Sequence, residues 1–144
     1  MFTGIAITPM YVLNHEEALD FYCGKLGFEV DTDLDFGHMR WLTVGFPQDP
    51  GRLVLLQRIG DTTPTAGPET SEMLRELTER GGSSWMILNT DDCHATYATL
   101  AERGVEIIEE PTERPYGIDM AIRDPFGNQI RITQGTEWNE GAWQ

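Results

Sequence analysis

Leu88 to Ile107 reads LNTDDCHATYATLAERGVEI, and Val12 to Val30 reads VLNHEEALDFYCGKLGFEV. Both run from the end of an apolar strand through a polar cap, an amphipathic helix and a glycine into another apolar strand whose second residue is glutamate. The landmark glycines, Gly27 and Gly104, lie 77 residues apart. A matching turn follows each unit, Asp49-Pro50-Gly51 in one half and Asp124-Pro125-Phe126-Gly127 in the other. A repeat of this length means two copies of one supersecondary unit, each too small to bury its own apolar face. The copies are expected to pack together, with a ligand in the cleft between them.

Outward from the first copy, Ile5 to Val12 reads as a mostly buried strand, with Pro9 marking an edge or a bulge. Asn14 caps a helix, and Glu17 completes a capping-box pattern. Ala18, Leu19, Tyr22, Cys23 and Leu26 make one apolar stripe, and Gly27 ends the helix in a left-handed conformation. Phe28–Asp35, His38–Phe46 and Arg52–Arg58 follow as strands. The loop from Ile59 to Pro68 is rich in Gly, Pro and Thr, and a helix over Glu69–Arg80 then carries Met73, Leu74 and Leu77 on one side. In the second copy Trp85–Thr90 is a strand and Asp91 or Asp92 caps the helix. Strands follow at Val105–Ile108, Ile118–Arg123 and Gln129–Thr133. The predicted fold is α+β, two paired βαβββ modules forming a curved mixed-sheet cup. It is expected as one domain, 1–134: a module over about 4–58, a helical linker at 59–82 and a second module over 83–134. A polar tail, 135–144, follows and is expected to be mobile, the alternative being that Trp138 and Trp143 dock on the body or on a second subunit.

The chain has 144 residues, 40% hydrophobic and 24% charged, which suits one compact globular domain. Its net charge of −14 excludes nucleic acid and anionic membrane surfaces as partners, because both would be repelled. No apolar run approaches the roughly 20 residues of a membrane span, and no basic segment precedes an apolar one as in a signal peptide. A cytoplasmic protein is expected, with Cys23 and Cys93 as small buried side chains rather than a disulfide. The acidity chiefly serves solubility and also suits a cationic ligand.

Phe21-Tyr22 and Leu26-Gly27-Phe28, then Ala101-Glu102-Arg103-Gly104-Val105, Pro115-Tyr116-Gly117 and Asp124-Pro125-Phe126-Gly127-Asn128, stand in an order that resembles the vicinal oxygen chelate superfamily. That group includes glyoxalase I, extradiol dioxygenases and bleomycin-resistance proteins. The resemblance runs from Ile5 to about Gln134 and implies the paired-module fold and a homodimer. It also implies a small-molecule site that in some members holds a divalent metal. Fold alone does not choose among lyases, isomerases, dioxygenases and drug-binding proteins.

In metal-using members the first and last strand of each module supply His, Gln or Glu. Counted from the helix and turn landmarks, those positions fall here on Ile7, Leu55, Trp85 and Arg131, none of which offers a usable lone pair. Gln57, on the same face as Leu55, is a single amide donor. His15, His38 and His94 lack the spacing of a metal motif. Neither a metal nor another cofactor is therefore expected. Trp85 either fills the cup as core or stacks on a flat or cationic ligand. Arg131 either clamps a carboxylate or phosphate in a bidentate way or forms a salt bridge to a carboxylate such as Asp119. Trp41, Met39 and Tyr116 are expected neighbours. No catalytic set emerges: Cys93 sits at a helix start, but Asp91 and Asp92 oppose its thiolate. The expected function is metal-independent binding of an aromatic or cationic small molecule by Ile7, Trp41, Leu55, Gln57, Trp85, Tyr116 and Arg131. The alternative is a lyase, isomerase or dioxygenase of the same superfamily.

Overall fold

The computed structural model describes residues 1–61 and 67–135. The expectation for Trp138 and Trp143 lies outside the described residues. In chain order the elements are β1 (Ile7–Val12), α1 (His15–Tyr22), β2 (Glu29–Asp35), β3 (Arg40–Gly45), β4 (Leu53–Arg58) and α2 (Pro68–Glu79). They continue with β5 (Trp85–Asn89), α3 (Cys93–Glu102), β6 (Glu106–Arg114), β7 (Gly117–Arg123) and β8 (Gln129–Gly135). The fold is α+β with two βαβββ modules. Their strands form two four-stranded mixed sheets ordered β1-β4-β3-β2 and β5-β8-β7-β6. In each sheet the first strand of the module runs parallel to the last and the other pairs are antiparallel. Two compact units divide the chain. One takes Met1–Ser84 with Pro125–Asn128, and the other takes Trp85–Asp124 with the residues from Gln129 onward. Among the described residues no helix is long and apolar enough to cross a membrane.

In the first unit Asn14 is extended and its side chain accepts from the Glu17 amide at 2.8 Å, so α1 starts where the cap predicts. The helix stops at Tyr22, four residues earlier than its apolar stripe suggests. A Cβ at Gly24 would lie 2.3 Å from the Asp20 carbonyl oxygen, and the chain tightens into a turn there before Gly27 adopts φ 84°. The buried face of α1 is accordingly His15, Ala18, Phe21 and Tyr22, not the stripe running to Leu26. It packs on the sheet face carrying Met10, Val12, Leu42, Val44 and Leu56, all fully or almost fully buried. His15 Nε2 lies 2.9 Å from the Leu56 carbonyl oxygen and ties helix to sheet.

The linker helix α2 has Pro68 in its first turn, where a missing N–H costs nothing. Its apolar residues do not face inward: Met73 is 71% exposed and Leu77 is exposed as well, while Thr78 is buried. The Thr78 hydroxyl donates to the Leu74 carbonyl at 2.7 Å and lies 2.8 Å from Ser83 Oγ. The same unit includes the Pro125–Asn128 turn. Asn128 is fully buried; its Nδ2 donates to the Tyr11 carbonyl at 2.6 Å and its Oδ1 accepts from Ser84 Oγ at 3.0 Å.

In the second unit Asp92, not Asp91, is the cap of α3, accepting from the Ala95 amide at 3.0 Å. Gly104 ends the turn after α3 with φ 77°. Strand β6 runs six residues beyond the Ile108 at which the expected strand ends, so the charged run Glu109-Glu110-Glu113 is part of the sheet. Register shifts between Ile107 and Glu109 and between Glu109 and Thr112 carry the charged residues along it. The core here is Met120, Ile122, Ile130 and Ile132 with Cys93, Leu100 and Val105.

Candidate functional site

Because successive strand side chains alternate, each sheet has a face packed on its helix and an opposite face, called open for pointing away from the helix although Thr43, Leu55, Asp119 and Ala121 on it are buried. In the first unit the ladder pairs Ile7 with Leu53, Pro9 with Leu55 and Tyr11 with Gln57, and on the other side of β4 it pairs Thr43 with Leu55. Trp41 is two residues from Thr43. The first-module candidates Ile7, Trp41, Leu55 and Gln57 therefore share the open face of this sheet. Leu55 is buried in it, whereas Ile7 sits at its edge strand.

In the second unit Met86 and Leu88 pair with the core residues Ile130 and Ile132, which places Trp85, Ile87 and Asn89 on the open face. Ile87 is the ladder partner of Arg131, and Arg131 is in turn paired with Ala121. Trp85 is 65% exposed and Ile87 56% exposed. Trp85 is thus an accessible indole at a sheet edge and is not filling a core.

Arg131 does not stand as a free cation. Its Nε and Nη2 both donate to Asp119 Oδ2, at 3.0 and 2.8 Å, and Nη2 also donates to Glu109 Oε2 at 3.3 Å. The Tyr116 hydroxyl donates to the same Asp119 oxygen at 2.8 Å. Arg114 closes the network: its Nη2 bonds Glu109 Oε1, and its Nε lies 3.6 Å from Asp119 Oδ1. Two guanidiniums and two carboxylates thus interlock with their formal charges cancelled. Of the two alternatives for Arg131, the salt bridge to Asp119 is the one formed, because a buried carboxylate must be paired. Burial alone would push the Asp119 carboxyl up, but hydrogen bonds from Tyr116 and Arg131 and the two guanidinium charges hold it below its ordinary value. The hydrogen bond to Asp119 in turn pushes the Tyr116 phenol up, as does its partial burial. Glu109 and Arg114 are not among the residues expected at the site, and Asp119 is expected there only as a salt-bridge partner of Arg131. Only the β6–β7–β8 register puts them beside Arg131, and the misread β6 conceals it.

The donors do not fit the divalent metal that the resemblance allows. Along β1, β4, β5 and β8 the open-face side chains are Ile7, Pro9, Tyr11, Leu53, Leu55, Gln57, Trp85, Ile87, Asn89, Gln129, Arg131 and Thr133. They include no imidazole and no carboxylate. Asp119 and Glu109, beside Arg131, are already paired with guanidiniums, and Asp31, whose Oδ2 accepts from Thr43 Oγ1 at 3.3 Å, is a single carboxylate beside the first sheet's face. Among the described residues no three His, Cys, Asp or Glu side chains converge. Cys93 is buried, and desolvation, then the charges of Asp119 and Asp92, push its thiol up, away from nucleophilic use. A cavity of about 160 Å³ lies at the end of the first sheet among Glu29, Asp31, Phe46, Pro47, Pro50 and Leu53. It is smaller than ordinary small-molecule sites, and none of the expected residues lines it.

Residues 4–132 match the model of the Glyoxalase/Bleomycin resistance protein/Dioxygenase superfamily, and the chain belongs to that family. YurT of Bacillus subtilis (strain 168) is 31% identical over 130 residues, covering 90% of this chain and 98% of YurT. Among solved structures, UcmS2 is similar with a TM-score of 0.85 and 34% identity, over 94% of this chain and all of that one. TnmS3, an antibiotic binding protein from Streptomyces sp. CB03234, is similar with a TM-score of 0.73 and 30% identity, over 94% of this chain and 98% of TnmS3.

Proposed function

We propose that this chain is a small-molecule binding protein of the glyoxalase/bleomycin-resistance type that holds an aromatic ligand without a metal. The observation that carries this reading is the Trp85 indole, two-thirds exposed on the open face of β5 and next to Ile87. An exposed aromatic beside an exposed aliphatic is a stacking platform that a solvated surface would not favour. The kinship with TnmS3, an antibiotic binding protein, supports the reading. The donor chemistry of both open faces supports its metal-free part. The test is elemental analysis of protein purified without chelator or affinity metal, followed by a thermal-shift screen with polycyclic aromatic drugs. The expected result is no stoichiometric divalent ion. A ligand held near 100 times its dissociation constant is expected to add about 2.7 kcal/mol of apparent stability, lost in Trp85→Ala. One divalent ion per chain, or an undiminished shift in Trp85→Ala, overturns it.

The same proposal includes a cytoplasmic homodimer. Cys23 and Cys93 are unpaired thiols, as a reducing compartment favours. Large apolar side chains stand in water on the single chain, Phe2 at 94% and Met73 at 71% exposure among them, and self-association would cover such surface. Sedimentation equilibrium is expected to return twice the chain mass, and a single-chain mass at micromolar concentration counts against it.

A further inference from the structure

Arg131 has five N–H donors, and Asp119 and Glu109 occupy only those on Nε and Nη2. Its other amino group, Nη1, has no partner among the described residues, and the side chain is 32% exposed. The guanidinium is pinned along one edge and offers two N–H donors at the other, and its ladder partner on β5, Ile87, is exposed. Building on the ligand-binding reading above, we propose that Arg131 makes the site selective for uncharged aromatic ligands bearing an acceptor oxygen, such as an aryl ketone. Nη1 donates to that oxygen.

Charge decides against the two ionic alternatives. A carboxylate gains little from a guanidinium whose charge Asp119 and Glu109 already cancel, and to win the bidentate edge it would have to displace charge-assisted bonds to a buried aspartate. A cation gains no more, because the free edge of Arg131 carries N–H donors and no acceptor to receive it. The net charge of −14 does draw cations toward the protein, but that field is screened within about 8–10 Å at ordinary salt, so the nearest group sets the preference. A neutral acceptor loses little on leaving water and satisfies a donor that otherwise has only solvent.

Four probes share one ring system: 2-acetylnaphthalene, its hydrocarbon isostere 2-isopropenylnaphthalene, 2-naphthoate and 2-naphthylmethylammonium. Their affinities for the full chain are measured by NMR titration in 0.15 M salt. The ketone is expected to bind about ten-fold tighter than each of the others, the worth of one charge-assisted hydrogen bond. In Arg131→Lys, whose compact ammonium can pair with Asp119 but presents no second fixed edge, the ketone is expected to lose that lead. Equal or tighter binding of the hydrocarbon or either ion overturns the selectivity while leaving aromatic binding standing. So does an unchanged ketone lead in Arg131→Lys. No binding by any of the four overturns both readings. The wild-type ranking decides by itself if Arg131→Lys does not fold.

Discussion

Gly127→Ala is expected to cost about 3 kcal/mol or more in urea denaturation, enough to consume much of the stability of a chain this size. Two independent penalties fall on the one added methyl. Gly127 has φ 115°, which an L side chain rarely adopts, and its Cβ would lie 2.3 Å from the Thr78 carbonyl oxygen and 2.8 Å from Glu79 Cα. Both of those atoms are backbone at the end of α2, so no side chain can swing aside. Relief requires the turn to move, and that would pull the buried Asn128 from its 2.6 Å bond to the Tyr11 carbonyl. Gly51→Ala is the control: a Cβ there meets nothing within 4 Å, and a change within about 0.5 kcal/mol is expected. A Gly127→Ala loss as small as that of Gly51→Ala would show that the close approach to α2 does not exist in solution.

The Asp124-to-Asn128 run shows how much of the fold is legible in the sequence. Its match to the earlier Asp-Pro-Gly turn marks the repeat, and with it the two βαβββ modules; the strand order within each sheet and the parallel pairing of first and last strands come from the structure. Caps and glycines are local chemistry, so Asn14 and Gly104 sit where expected. Alternation along one strand is local chemistry too, and it puts Gln57 on the same face as Leu55; that Ile7 and Trp41 share this face is given by the ladder. Helix length was less legible, because the stop at Gly24 depends on a backbone contact with Asp20 and not on the apolar stripe. Composition read the linker helix as amphipathic, yet its buried residue is Thr78, held by Leu74 and Ser83. The largest gap was the charge network. Glu109 lies in a strand disguised by acidic residues and broken by two register shifts, so its approach to Arg131, 22 residues away, has no periodic signature.

That network supplies the second large effect. Asp119→Ala is expected to destabilise the protein by about 2–3 kcal/mol at pH 7, below the range for a wholly buried pair because Arg131 and Arg114 are each about a third exposed. The substitution removes the acceptor of Tyr116 and of two Arg131 N–H groups, and leaves two guanidiniums facing Glu109 alone. The loss should depend on pH in one direction. The folded state holds the Asp119 carboxyl below its ordinary 3.8, so near and below that pH the unfolded chain binds more protons than the folded one. The stabilisation is fully present above the unfolded value and disappears as pH falls through the lower folded value. Urea denaturation of the wild type and of the isosteric Asp119→Asn should therefore differ most at pH 6–7 and converge as the pH falls through the lowered folded value of Asp119. Asp119 Oδ1 has no hydrogen bond and meets only Arg114 Nε at 3.6 Å, so Arg114→Ala should lower stability by much less than Asp119→Ala. A pH-independent gap between wild type and Asp119→Asn would mean that the aspartate acts through shape and neutral hydrogen bonding, and that the ion pairs on this face contribute nothing to folding.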